Sequence, residues 1–142
     1  MRGPTKDRLQ ELASIPLFSS CSPRELADVD SLGAEDRAVD GQVLIRQGSP
    51  GRESFVILEG TAIVTVGARL VARLGPGDFF GEMALLGRQN LRTATVTAIT
   101  PMRLLVIDPR QLKTMLNIEG VARSMLAEVV DRLGTAMVQR PA

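Results

Sequence analysis

Gly75-Pro76-Gly77-Asp78-Phe79-Phe80-Gly81-Glu82-Met83-Ala84-Leu85-Leu86, followed across Gly87 to Leu91 by Arg92-Thr93-Ala94-Thr95-Val96, does not read as one more hairpin. Two glycine turns lead into Glu82 to Leu86, a run of good helix formers with room for about one or two turns before Gly87. A short helix presents unpaired amides at its start, and such amides suit an anion such as phosphate. Arg92 then enters an expected inward-facing strand, Arg92 to Ala98, where the small neighbours Thr93 and Ala94 leave room for its guanidinium. A buried arginine without an acceptor costs roughly several kcal/mol, so it needs a carboxylate or a bound anion. Two readings satisfy that need. Glu82 and Arg92 form an internal ion pair, or one ligand bridges them, offering a hydroxyl to Glu82 and a phosphate to Arg92. The residue types alone leave both open.

Around this stretch, from Ala34 to Ile107, short apolar or alternating runs are punctuated by Gly41, Gly48, Gly51, Gly60, Gly67, Gly75 and Gly77. Such texture predicts strands and turns, here over 37–40, 43–46, 54–58, 62–66, 69–74, 92–98 and 103–107. In Ala62 to Val66 apolar residues nearly fill both faces, which predicts a strand buried between sheet layers. Helix is expected on either side. Arg8 to Ala13 places Leu9, Leu12 and Ala13 on one face, ahead of a break at Pro16. Ser22-Pro23-Arg24-Glu25 and Asp108-Pro109-Arg110-Gln111 both read as capping boxes with proline at the first helical position. Glu119 to Gln139 carries Val121, Met125, Val129 and Leu133 at spacings of four, with Ala122, Leu126 and Val130 alongside, and so predicts a long amphipathic helix that must cover an apolar surface. The expected fold class is α+β: one domain over 1–142, with a helical part at 1–33, an antiparallel jelly-roll-like β-barrel at 34–107 holding the special loop at 80–96, and helices at 108–142.

The bulk properties narrow the chemistry. The chain has 142 residues, with 17 Lys and Arg against 16 Asp and Glu, a net charge of +1. That balance lacks the basic excess of a polyanion-binding surface, so no nucleic acid contact is expected. Cys21 is the only cysteine, which rules out an internal disulfide or a cysteine zinc site. No apolar run approaches the ~20 residues that span a bilayer, and no signal core opens the chain, so a cytoplasmic setting without membrane contact is expected. Histidine is absent altogether. With it goes the commonest general base and metal ligand, and no nucleophile is paired with an activating base, so the chain reads as no enzyme, with no catalytic residues, cofactor or metal site.

Beyond composition, Phe80-Gly81-Glu82-Met83-Ala84-Leu85-Leu86 with Arg92-Thr93-Ala94-Thr95-Val96 closely resembles the phosphate-binding cassette of the cyclic-nucleotide-binding domain family. Ser54-Phe55-Val56-Ile57-Leu58-Glu59-Gly60 looks like the family's central strand and turn, and Gly75-Pro76-Gly77-Asp78 like its lead-in. The resemblance implies a sensor that binds a cyclic nucleotide at Gly81, Glu82, Met83, Ala84, Arg92, Thr93 and Ala94. Glu82 would accept from the ribose 2′-hydroxyl, Arg92 would pair with the exocyclic phosphate oxygens, and amides near Met83, Ala84 and Ala94 would complete the cradle. Cyclic AMP is favoured as the more widespread ligand among relatives. A hydroxyl at Thr93 also admits cyclic GMP in this family, unless Thr93 simply serves strand propensity.

Many relatives stack an aromatic ring on the purine from a C-terminal helix. Here all four Phe, at 18, 55, 79 and 80, precede Gly81, and Trp and Tyr are absent. A lid from Glu119 to Gln139 would have to use Val129, Leu133 or Met137 for apolar contact, or Arg132 laid flat on the base. Ligand occupancy is then expected to draw that helix over the pocket and so control a partner or fused effector. The same helix could instead form a homodimer. Alternative readings are a transcription regulator lacking its helix-turn-helix, since ten residues follow Arg132, and a non-binding interaction domain. A histidine-ligated metalloenzyme on a similar scaffold has no residues to build on.

Overall fold

The computed structural model describes residues 3–81 and 91–139, with the backbone alone at Val129 and from 132 onward. It opens with α1 (Lys6–Ala13), a single 3-10 turn (Pro16–Phe18) and α2 (Pro23–Leu32). Eight strands follow: β1 (Ala34–Ala38), β2 (Val43–Ile45), β3 (Ser54–Glu59), β4 (Ala62–Val66), β5 (Arg69–Leu74), β6 (Phe79–Phe80), β7 (Thr95–Ala98) and β8 (Met102–Ile107). The chain finishes in α3 (Pro109–Met115) and α4 (Glu119–Gln139). Both predicted capping boxes form. Ser22 Oγ accepts from the Glu25 amide while Glu25 reaches back to the Ser22 amide, and Asp108 and Gln111 repeat the exchange.

The strands make two antiparallel four-stranded sheets, in the orders β1-β8-β3-β6 and β2-β7-β4-β5. One core cluster fills the space between them, with Ile45, Phe55, Ile57, Phe80, Val96 and Leu104 among its members. A second lies on the outer face of the first sheet, where Val56, Leu58, Leu105 and Ile107 meet Leu12, Phe18, Val29, Met115 and Val121 from the helices. Because strand side chains alternate, β3 sends Phe55 and Ile57 to one cluster and Val56 and Leu58 to the other. Its residues 54–58 are therefore all buried.

Burial on both faces thus belongs to β3 and not, as the sequence suggested, to β4. Only Ala62 of β4 is buried, and Val66 is 42% exposed, because the helices cover the first sheet and leave the outer face of the second to solvent. β5 is an edge strand, exposed along 69–73, with Leu70 and Val71 more than half exposed and a register shift in its pairing with β4. Ala13, expected on the covered face of α1, is exposed, while Leu12 is completely buried. β1 begins at Ala34, three residues before the expected start, because 34–38 pair in full with 102–106 of β8. The two-residue strand β6 was not anticipated. It brings Phe80 onto Phe55 in a stack with centroids 5.0 Å apart, a contact worth about 0.5–1.5 kcal/mol beyond area burial.

Candidate functional site

The site is built where the β2–β3 loop, the end of β6 and the segment before β7 converge. Asp78 sets the approach: its carboxylate accepts from the Gly75 amide at 2.7 Å, closing the turn that delivers β6. Immediately after Phe80 the chain turns at Gly81, with φ +93°. A side chain there would be strained, and a Cβ would stand 2.7 Å from the Glu53 carbonyl oxygen. Glycine is thus required for both backbone conformation and space.

Arg92 sits opposite. Its amide donates to the Ser49 carbonyl at 2.9 Å and its carbonyl accepts from the Gly48 amide at 2.8 Å, so the β2–β3 loop fixes its backbone. Nη1 donates to the Gly81 carbonyl at 3.0 Å and Nη2 to the Glu53 carbonyl at 2.8 Å. Gly51 lies against the guanidinium, where a Cβ would meet Nε at 2.7 Å. The half-buried guanidinium is held by burial below the usual arginine range, an effect opposed by the negative charge of Glu53. Both of its hydrogen-bond acceptors among the described residues are neutral, so these contacts orient the charge without cancelling it. A cavity of about 260 Å³ opens beside it, lined in part by Ile45, Ser49, Gly51, Glu53 and Phe55.

Two local expectations need correction. Arg92 does not lie within a strand: β7 starts at Thr95, and Thr93 and Ala94 form a bend. The bend follows from the Arg92 backbone being tied to Gly48 and Ser49 while its side chain reaches Gly81 and Glu53. Exposed Thr93 therefore owes nothing to strand propensity, and Ala94 is half-buried. Glu82, Met83, Ala84 and the short helix expected at 82–86 lie outside the described residues, as do the side chains of Val129, Arg132 and Leu133. The structure thus brings together Gly81 and Arg92, with Thr93 and Ala94 adjacent. Sequence reasoning missed the cradle of Gly48, Ser49, Gly51 and Glu53. Its visible signal, two glycines around Ser49-Pro50, was read only as turn punctuation.

A family model described as the cyclic nucleotide-binding domain matches residues 36–119, a span that contains all eight strands except the first two residues of β1. The chain belongs to the cyclic nucleotide-binding domain family. This cyclic nucleotide-binding domain is 35% identical over 127 residues to a putative potassium channel protein of Rhodopseudomonas palustris, covering 87% of the chain and 31% of the channel. It also spans less than half the length of other curated relatives. Among solved structures it superposes on the Thermus thermophilus catabolite activator protein with a TM-score of 0.77 at 28% identity, covering 87% of this chain and 61% of that one. On cAMP-bound PfPKA-R the TM-score is 0.74 at 25% identity, with 91% and 47% covered. The chain is thus a regulatory nucleotide-binding module, and its two-sheet jelly roll with flanking helices is the family's fold. Among the described residues no helix is long and apolar enough to cross a membrane, and no group of three His, Cys, Asp or Glu gathers as a metal site.

Proposed function

We propose that this domain senses cyclic AMP in preference to cyclic GMP and passes ligand occupancy to an attached or separate effector through α4. The observation that carries the proposal is Arg92: a half-buried guanidinium, aimed by two neutral carbonyls, beside an open cavity. In this reading Arg92 pairs with the exocyclic phosphate oxygens and Glu82 accepts from the ribose 2′-hydroxyl. Amides at Met83, Ala84 and Ala94 complete the phosphate cradle, and Thr93 offers its hydroxyl to phosphate or base. Val129, Leu133 or Arg132 would cover the purine, in place of an aromatic ring. The cytoplasm is the proposed setting.

Support for cyclic AMP comes from the similar cAMP-bound PfPKA-R, and support for an effector from the channel, of which this chain spans under a third. Leu126 and Val130, 65% and 59% exposed and one turn apart on α4, are the apolar surface through which an effector or a second copy would be engaged.

Calorimetric titration with cyclic AMP and cyclic GMP, on the wild type and on Arg92→Ala, tests the binding. Each charge-assisted bond contributes about 1.5–3 kcal/mol, so the variant should bind at least about tenfold more weakly. Absence of heat with either nucleotide, in protein shown by circular dichroism to be folded, would overturn the proposal.

A further inference from the structure

We infer that Arg46, which directly follows β2, is a second cation of the nucleotide site, set to meet the charge of the cyclic phosphate alongside Arg92. The identity of that anion rests on the nucleotide reading proposed above; the pairing of two arginines on one cavity does not.

Arg46 stands on the wall of the same cavity of about 260 Å³ that Arg92 lines. Its backbone is fixed on both sides. Ile45 is buried in the core between the sheets and pairs with Val96 of β7. Gln47 donates its amide to Thr95 Oγ1 at 2.9 Å, and its Oε1 accepts from the Gly67 amide at 2.8 Å. The Arg46 carbonyl accepts from the Ser49 amide at 3.1 Å, and the Ser49 carbonyl accepts from the Arg92 amide at 2.9 Å. A single turn therefore links the backbones of the two arginines.

The charges around the cavity supply the rest of the argument. Glu53 also lines it, yet among the described residues no ion pair joins Glu53 to either arginine, and none engages Arg46 at all. The negative charge of Glu53 is nonetheless felt at Arg92, where it opposes the effect of burial. With Glu82 on the ribose, Arg92 alone would face two carboxylates, and that excess of negative charge would repel a cyclic phosphate. Arg46 cancels the excess. An exposed arginine is ordinarily satisfied by water; this one shares a concave wall with a second guanidinium whose charge is also uncancelled. Because Arg46 is exposed and Arg92 half-buried, salt should separate their contributions.

Calorimetric titration with cyclic AMP at about 0.1 M and about 1 M salt tests this on the wild type, Arg46→Met, Arg46→Lys and Arg92→Ala. Arg46→Met should bind about three- to fivefold more weakly than the wild type at the lower salt, and within about twofold of it at the higher. Arg46→Lys should stay close to the wild type, and Arg92→Ala should be weak at both salts. Wild-type affinity of Arg46→Met at the lower salt, or a loss that ignores salt or that lysine does not restore, would overturn the inference. Nuclear magnetic resonance of the arginine Nε–Hε groups, with inorganic phosphate as the probe, gives a reading independent of the nucleotide. The two signals, assigned by their loss in Arg46→Met and Arg92→Ala, should move together, and a silent Arg46 would overturn the two-cation site. Failure of the wild type to bind cyclic AMP would sink the nucleotide reading alone, and the phosphate titration would then decide whether the two arginines share an anion.

Discussion

Replacing Gly81 by alanine adds one methyl group and should disturb both contacts that aim Arg92. Two costs can be separated. A side chain at φ +93° pays backbone strain of about 1–2 kcal/mol. The new Cβ would also sit 2.7 Å from the Glu53 carbonyl oxygen and 3.2 Å from the Ser54 Cα, backbone atoms just before and at the start of β3, whose burial on both faces limits how far they can shift. Overpacking of this kind costs about 1–3 kcal/mol. Gly67 supplies the control, because it too has positive φ, at +61°, but nothing lies within 4 Å of its Cβ position. Gly67→Ala should therefore lose about 1 kcal/mol, and Gly81→Ala about 2–4 kcal/mol, in urea unfolding with unchanged m-values. Because the displaced Glu53 carbonyl is the acceptor for Nη2 and Gly81 itself supplies the acceptor for Nη1, Gly81→Ala should also weaken nucleotide binding, which Gly67→Ala should not. If the two variants lose equal stability, the steric account of Gly81 is wrong.

Ser54 is completely buried, and no described residue hydrogen-bonds its hydroxyl, so Ser54→Ala should leave stability unchanged or raise it by up to about 1 kcal/mol in the same unfolding assay. Acid titration should reveal the ion-pair network in which Arg8 and Arg103 share Glu11 and Glu35. Hydrogen bonds from Arg103 hold Glu35 below the usual carboxylate range; Glu11 is pushed up by burial but drawn down on balance by Arg103 and Arg8. A carboxylate depressed in the folded state lends stability above its unfolded pKa of about 4.3 and loses it as pH falls through the lower folded value. Thermal stability should thus fall below about pH 4, and the fall should be shallower in Arg103→Met. Glu25→Ala removes the carboxylate that accepts from both the Ser22 and the Gly120 amides but keeps the bond from its own amide to Ser22 Oγ, so it should lower the unfolding midpoint slightly and speed exchange in the first turn of α4.

What could be read from the sequence followed the range of the interaction. Ser22 with Glu25 and Asp108 with Gln111 are partners three residues apart, so their capping boxes were legible and both form. The cassette residues were legible as a pattern, and two of them, Gly81 and Arg92, are in hydrogen-bond contact in the structure. Which strand is sandwiched was not: β3 and β4 are similarly apolar, and only the packing of helices on one sheet decides between them. Equally hidden was the cradle around Arg92, since Glu53 contributes a backbone carbonyl that carries no side-chain signature. The Arg8 and Arg103 network joins residues up to 92 positions apart, beyond any local pattern.

The open edge at β5 bears on how this protein behaves when concentrated. A strand with unpaired amides and exposed Leu70 and Val71 invites a second copy to add on. Antiparallel self-pairing centred on Val71 would set Arg69 of each copy against Arg73 of the other, two like-charge oppositions in one short ladder. That repulsion guards against edge-to-edge polymerisation in dilute buffer and weakens as the screening length shrinks from about 10 Å at 0.1 M salt to about 3 Å at 1 M. High ionic strength is accordingly the condition under which storage aggregates would nucleate at this edge, and an acidic residue in place of either arginine would remove the safeguard.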